Sequence, residues 1–281
     1  MIAAESARCE SLLLSTRISV AYRGKPRVLR DIALEIPRGE ILGLVGQSGS
    51  GKSTLALAIL GLLDRKAATV EGCIDFQGRD LLQMRERELR DLRGRSLGLV
   101  LQSPLSSLNP ALKIGTQLRE AWRAHARGTR GECDAAVRAS LASVSLPADD
   151  EFLRRHPSQL SVGQAQRVLI AMTIIHRPAL LIADEATSAL DVITQSEILS
   201  LFARLNRETG MAILYISHDL PSVADICHRI AILHEGEIVE SGPSECIFTT
   251  PQHSYTRKLI AALPGRLGAN LERASATSSG R

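Results

Sequence analysis

The stretch Gly46-Gln47-Ser48-Gly49-Ser50-Gly51-Lys52-Ser53 matches the pattern G-x-x-x-x-G-K-[ST], and no other feature of the chain limits its fold as much. Average composition yields such an octapeptide by chance in roughly 1% of chains this long. The flanks lower that figure further. Ile41-Leu42-Gly43-Leu44-Val45 reads as a buried strand, and 53–63 reads as an apolar helix. Between them, glycines let the backbone curl so that successive N–H groups point at phosphate oxygens. The helix N-terminus adds a field that favours anions. Lys52 can reach the β and γ phosphates, and the Ser53 hydroxyl can bind Mg²⁺. Thr54 continues the same turn.

The remaining strands extend this core. Residues 11–40 alternate apolar and polar positions around turn signals, which predicts an antiparallel β region. Residues 70–82 suggest a hairpin, 83–94 a charged surface helix, and 98–101 a second buried strand. Between 114 and 156, Arg, Ala and Glu at helical spacing predict a mainly helical insertion. Strands return at 179–183, 212–217 and 229–234. Apolar strands alternating with helices imply an α/β fold with a parallel sheet covered on both faces. The Ser-, Ala-, Gly- and Arg-rich run 267–281 predicts a loose tail.

Composition removes several function classes. The 281 residues carry a net charge of +4 with acids and bases interleaved, and 3% are aromatic, so no nucleic-acid partner is expected. Five cysteines, far apart and without metal-ligand spacing, fit a reduced cytosolic protein. Glu5, Arg8 and Glu10 precede any apolar run, unlike a signal peptide. No apolar run approaches the ~20 residues that span a bilayer.

Leu180-Leu181-Ile182-Ala183-Asp184-Glu185 is an apolar strand ending in two acids. Beside a phosphate loop, Asp184 is suited to a second Mg²⁺ contact, and Glu185 to polarising an attacking water. On their own, both acids could equally cap the following turn.

Further motifs, in order along the chain, resemble those of the nucleotide-binding subunit of ATP-binding cassette (ABC) transporters. Gln102 opens Ser103-Pro104-Leu105-Ser106-Ser107-Leu108-Asn109-Pro110, which resembles the family's Q-loop. Leu160-Ser161-Val162-Gly163-Gln164 resembles its signature sequence, and Ser188-Ala189-Leu190-Asp191 its D-loop. His218, in Tyr215-Ile216-Ser217-His218-Asp219, resembles its switch histidine, and Tyr22 the aromatic that stacks on adenine. The resemblance implies a P-loop NTPase fold: a RecA-like parallel sheet core with an N-terminal antiparallel β region and a helical signature subdomain. It places one ATP-binding domain at 1–250, with the sheet core at about 11–102 and 166–240, the helical subdomain at about 103–165, and a C-terminal tail at 251–281.

By the same resemblance the cofactors are ATP and Mg²⁺. Loop residues 46–54 would hold the phosphates; Ser53, Gln102 and Asp184 the metal. Glu185 would be general base or water-orienter, and His218 would contact the γ-phosphate. Ser161 and Gly163 would complete the ATP site of a second ABC subunit, identical or homologous. Leu105–Pro110, Pro178–Val192 and Pro251–Arg257 look like the dipeptide, oligopeptide and nickel importers. Such importers pair two ATPase subunits with two membrane permeases and an extracytoplasmic solute-binding protein, at the cytoplasmic face of the bacterial inner membrane. Other readings are a soluble ABC ATPase of translation or DNA maintenance, and a non-hydrolysing regulatory half of a transporter pair. Two residues depart from the family pattern. Val162 stands where Gly is usual, and a β-branched residue disfavours positive φ. Ala186 stands where Pro is usual after the catalytic Glu.

Overall fold

In the computed structural model, which describes residues 12–263, the N-terminal alternation forms β1 (Leu12–Tyr22) and β2 (Arg27–Pro37), paired antiparallel. The buried strand β3 (Ile41–Val45) leads into the phosphate loop and α1 (Lys52–Ile59). Next, β4 (Ala68–Phe76) returns antiparallel to β1 and turns into the short β5 (Arg79–Asp80). Gln77 and Gly78, both at positive φ, make the two-residue turn that suits the twist of paired strands. The charged helix α2 (Glu86–Leu92) and β6 (Leu97–Val100) complete this half.

The insertion is helical, as expected: α3 (Pro104–Ser107), α4 (Ile114–Arg123), α5 (Arg130–Ser143) and α6 (Asp150–Arg154). It ends in α7 (Val162–Ile174), one continuous helix that carries the chain back to the sheet, so the boundary expected at 165 falls inside it. The second half runs β7 (Leu180–Asp184), α8 (Val192–Thr209), β8 (Ala212–Ser217), α9 (Leu220–Ile226), β9 (Arg229–His234), β10 (Glu237–Pro243), α10 (Ser244–Thr249) and α11 (Ser254–Ala261). The expected loose tail at 267–281 lies outside the described residues. Residues 254–261, assigned to the tail from sequence, instead form α11.

Two sheets result. The smaller has the order β2-β1-β4-β5, and the larger β10-β9-β3-β8-β7-β6. In the larger sheet β9, β3, β8, β7 and β6 are mutually parallel, and β10 is an antiparallel edge. Side-chain alternation sends each parallel strand's residues to two cores. Leu42, Leu44, Leu214 and Ile216 face α1 and the smaller sheet. Ile41, Val45, Ile213 and Tyr215 face α7, α8 and the helical insertion. With both faces covered, the C-terminal strand ends are the open rim, where ligands bind in sheets of this kind.

Candidate nucleotide site

Three neighbouring strand ends bring the chemistry together. β8 lies between β3 and β7, so the loops holding Lys52, His218 and the pair Asp184–Glu185 open side by side. The phosphate loop is shaped by close approach. A Cβ at Gly46 would sit 2.2 Å from the Leu233 carbonyl oxygen, and one at Gly51 would sit 2.5 Å from Leu29 Cδ2. Gly51 adopts φ 109° as it starts α1.

Lys52 is buried, at 5% exposure. Its Nζ donates to the Gly46 carbonyl at 2.7 Å and the Gln47 carbonyl at 3.0 Å, and lies 3.9 Å from Glu185 Oε1. A buried ammonium needs such partners. Burial pulls its pKa below the ordinary lysine value, and the Glu185 and Asp184 carboxylates pull the other way. Asp184 shows the opposite case. Burial holds its carboxyl above the usual range, offset in part by the Ser53 hydroxyl. Its Oδ1 is buried without a hydrogen-bond partner among the described residues. A desolvated carboxylate oxygen beside a serine hydroxyl is a donor set that fits a hard divalent cation such as Mg²⁺, which takes few protein ligands and completes its shell with phosphates and water. Among the described residues no cluster of three His, Cys, Asp or Glu exists to hold a metal without a substrate.

Glu185 adopts φ 50°, a left-handed conformation that costs a non-glycine residue roughly 1–2 kcal/mol. Hydrogen bonds hold it there. Its N–H donates to the Ile216 carbonyl, and its carbonyl accepts from the Ser188 N–H and hydroxyl. Those bonds close the turn without the Pro usual at position 186, where Ala186 is fully buried. Glu185 Oε2 lies 3.1 Å from His218 Nδ1, so its two oxygens are shared between an ammonium and an imidazole.

The sequence reading missed what aligns these loops. The Thr187 hydroxyl is 2.8 Å from the Tyr215 hydroxyl, which donates to Ser222 at 3.3 Å. Ser222 donates to the Asp219 carbonyl, and the Asp219 N–H donates to Ser217 Oγ. This buried hydroxyl chain ties the loop after Glu185 to the loop carrying His218. Its sequence signal is Tyr215, the one ring in β8.

The other expected residues divide. The Tyr22 hydroxyl is 3.5 Å from Thr54 Oγ1, which sets its ring beside the start of α1. Gln102 follows β6, whose Val100 pairs with Ala183, so it lies at the same rim. Its side chain is exposed and makes no hydrogen bond among the described residues. Ser161 and Gly163 are not brought to the phosphate loop. Ser161 caps α7: its Oγ accepts from the Gln164 N–H, and Gln164 Oε1 accepts from the Ser161 N–H. Gly163 packs against Thr194, where a Cβ would meet Cγ2 at 2.7 Å. Val162 is the first residue of α7, does not have positive φ, and is 40% exposed. The positive φ that its β-branch would oppose is therefore not called for in this chain.

A family model described as ABC transporter matches residues 29–188, more than half of the chain. The chain is 42% identical over 247 residues to the glutathione import ATP-binding protein GsiA of Salmonella choleraesuis, covering 86% of this chain and 40% of that protein. It is 41% identical over 269 residues to the protein of that name in Escherichia coli K12, covering 92% and 43%. The chain thus spans about two fifths of the length of these relatives. Among solved structures, it resembles cbiO1 from Clostridium perfringens, part of the ABC transporter complex cbiONQ, with a TM-score of 0.75 and 27% identity over 93% of this chain and 99% of that one. It also resembles the ATP-binding cassette MJ0796, a dimer in a post-hydrolysis state bound to ADP and Pi, with a TM-score of 0.70 and 28% identity over 83% and 98%.

Proposed function

This chain belongs to the ABC transporter family, and from that premise we propose that it binds and hydrolyses ATP to energise a membrane importer of peptides, nickel or a related solute. The observation that carries the reading is the convergence of Lys52, Asp184, Glu185 and His218 at one rim of the sheet. The import ATP-binding relatives support the direction of transport, and glutathione, a small peptide, falls within the expected solute class.

In this reading the loop amides and Lys52 hold the β and γ phosphates, exchanging the carbonyls that now occupy the ammonium for phosphate oxygens. Ser53 and Asp184 would hold Mg²⁺, with Gln102 as a further ligand from the neighbouring strand end. The metal would supply charge neutralisation at the phosphates. Tyr22 stacks on the adenine. Glu185 accepts a proton from, or orients, the attacking water, and His218 both fixes that carboxylate and contacts the γ-phosphate. Most of the rate enhancement then comes from positioning and charge stabilisation in a site closed to water.

Ser161 and Gly163 make their contacts within α7 and with Thr194, which suits a role toward the ATP of a second ABC subunit. Binding of ATP between two such subunits would favour a closed pair, and hydrolysis would release it. Two membrane permeases and an extracytoplasmic solute-binding protein would complete the importer. No helix among the described residues is long and apolar enough to cross a membrane, and we place the chain peripherally at the cytoplasmic face of the inner membrane.

The test is Glu185→Gln in the assembled complex, with the partner's site disabled. Turnover should fall about 10²- to 10⁴-fold, the usual size of a general-base contribution, while Mg-ATP still binds. Unchanged turnover refutes the assigned role.

A further inference from the structure

The C-terminal helix α11 comes back to the phosphate loop. It is anchored through the turn before it, where both Glu240 carboxylate oxygens accept backbone N–H groups, from Gln252 at 2.7 Å and His253 at 3.0 Å. Tyr255, 9% exposed, stacks its ring on His234 with centroids 3.7 Å apart and planes 16° apart. His234 ends β9, and the Leu233 carbonyl beside it is the group that abuts Gly46. One turn further along α11, Leu259 joins Val45, Gly46, Gln47, Ser48, Glu185 and His218 in lining a cavity of about 350 Å³.

Two polar groups in this corner lack partners among the described residues. The Tyr255 hydroxyl oxygen is buried and makes no aligned hydrogen bond to them. The Gln47 N–H likewise donates to no aligned acceptor among the described residues. Geometry puts them in one corner: Tyr255 stacks on His234, Leu233 beside it abuts Gly46, and Leu259 of the same helix lines a cavity with Gly46 and Gln47. Burial pushes the Tyr255 phenol up from the ordinary tyrosine value, and the Gln47 backbone is the one group that draws it back. The opposite side of Gln47 is already gripped, since its carbonyl accepts from Lys52 Nζ.

We propose that Tyr255 is a positioning residue for the phosphate loop: its hydroxyl accepts the Gln47 N–H when the loop tightens on a nucleotide, so that α11 and Lys52 hold Gln47 from opposite sides. Loop amides aimed at phosphate bind well only if their orientation is fixed beforehand. A hydroxyl on a ring clamped against the end of β9 fixes the loop's first peptide to the sheet from which the loop departs. Leu259 forms an apolar wall of the adjoining cavity and limits where the loop can move.

The inference rests on the nucleotide-binding reading above, so the test separates the two. The full chain is titrated with fluorescent methylanthraniloyl-ADP and Mg²⁺ as wild type, Lys52→Ala and Tyr255→Phe. Phenylalanine keeps the ring and its stacking and removes only the oxygen. If the wild type binds no nucleotide, the functional reading fails and this inference falls with it. If Lys52→Ala binds as well as the wild type, the functional reading and this inference both fail; if it binds far more weakly, Tyr255→Phe decides. Affinity should drop roughly fivefold, the usual effect of one lost hydrogen bond, and amide exchange should quicken at residues 46–50 while β3 stays protected. Affinity within twofold of wild type overturns the proposal and leaves the functional reading standing. Weaker affinity with exchange rising equally through β3 also overturns it, because that pattern is general loosening and not loop positioning.

Discussion

At the phosphate-loop corner Lys52 is 5% exposed and every charged group answers to another, whereas at the start of α7 Val162 is 40% exposed and Ser161 bonds only its own helix. The first region is preorganised within one chain, with an ammonium, two carboxylates and an imidazole in mutual reach. The second is a finished helix end, capped by its own side chains and with Thr194 packed against Gly163. A helix end capped by its own side chains is stable without a partner. A desolvated carboxylate such as Asp184 is not at rest until something binds it. The difference teaches that the cost of building this site is concentrated on the loop side, and that the signature side can be presented outward at little expense.

Substitutions can break or sharpen that contrast. Lys52→Ala should have the largest effect, removing the buried charge that the loop carbonyls and Glu185 surround. Mg-nucleotide affinity should fall about 100-fold, the upper range for hydrogen bonds to a charged group. A titration showing unchanged affinity would mean that the corner is not the binding centre. Asp184→Asn should come next and split into opposite signs. Mg²⁺ dependence of nucleotide binding should disappear, while the unliganded chain gains about 1 kcal/mol, a rise of roughly 2–4 °C in melting midpoint. Because burial raises the Asp184 pKa above its ordinary value of 3.8, the native chain holds that proton more tightly than the unfolded chain does. The destabilisation is therefore present at neutral pH, and the gain from Asn should shrink as pH falls toward 3.8. Melting curves at several pH values check the sign. Val162→Gly should have the smallest effect. At an exposed first helical position it should cost at most about 1 kcal/mol of stability, and nucleotide affinity of the single chain should be unaltered. A tenfold change in affinity would mean the two regions are coupled within one chain.

Much of this was readable in the residues, and the limits have physical causes. The strands at 212–217 and 229–234 are where expected because each is a continuous apolar run buried on both faces. Ser161 and Gln164 have capping-box spacing, a signal that the boundary expected at 165 leaves unread. In contrast, β10 is an edge strand whose Glu237-Ile238-Val239-Glu240-Ser241-Gly242-Pro243 has neither an apolar run nor clean alternation. It pairs because β9 offers it a free edge. The docking of α11 was hidden for a different reason: Tyr255 meets a loop more than two hundred residues earlier in the chain, and no local pattern encodes that meeting. Of the hydroxyl chain through Thr187, Tyr215 and Ser222, Tyr215 alone leaves a mark in the sequence, since the other two are unremarkable in their own segments.

Glu185 keeps its carboxylate in a backbone posture that glycine would adopt freely. Only its side-chain partners, the Lys52 ammonium and the His218 ring, favour an acid at that point. Among descendants of this gene, a glycine there would mark a copy released from its chemistry, readable in the DNA before any assay is run.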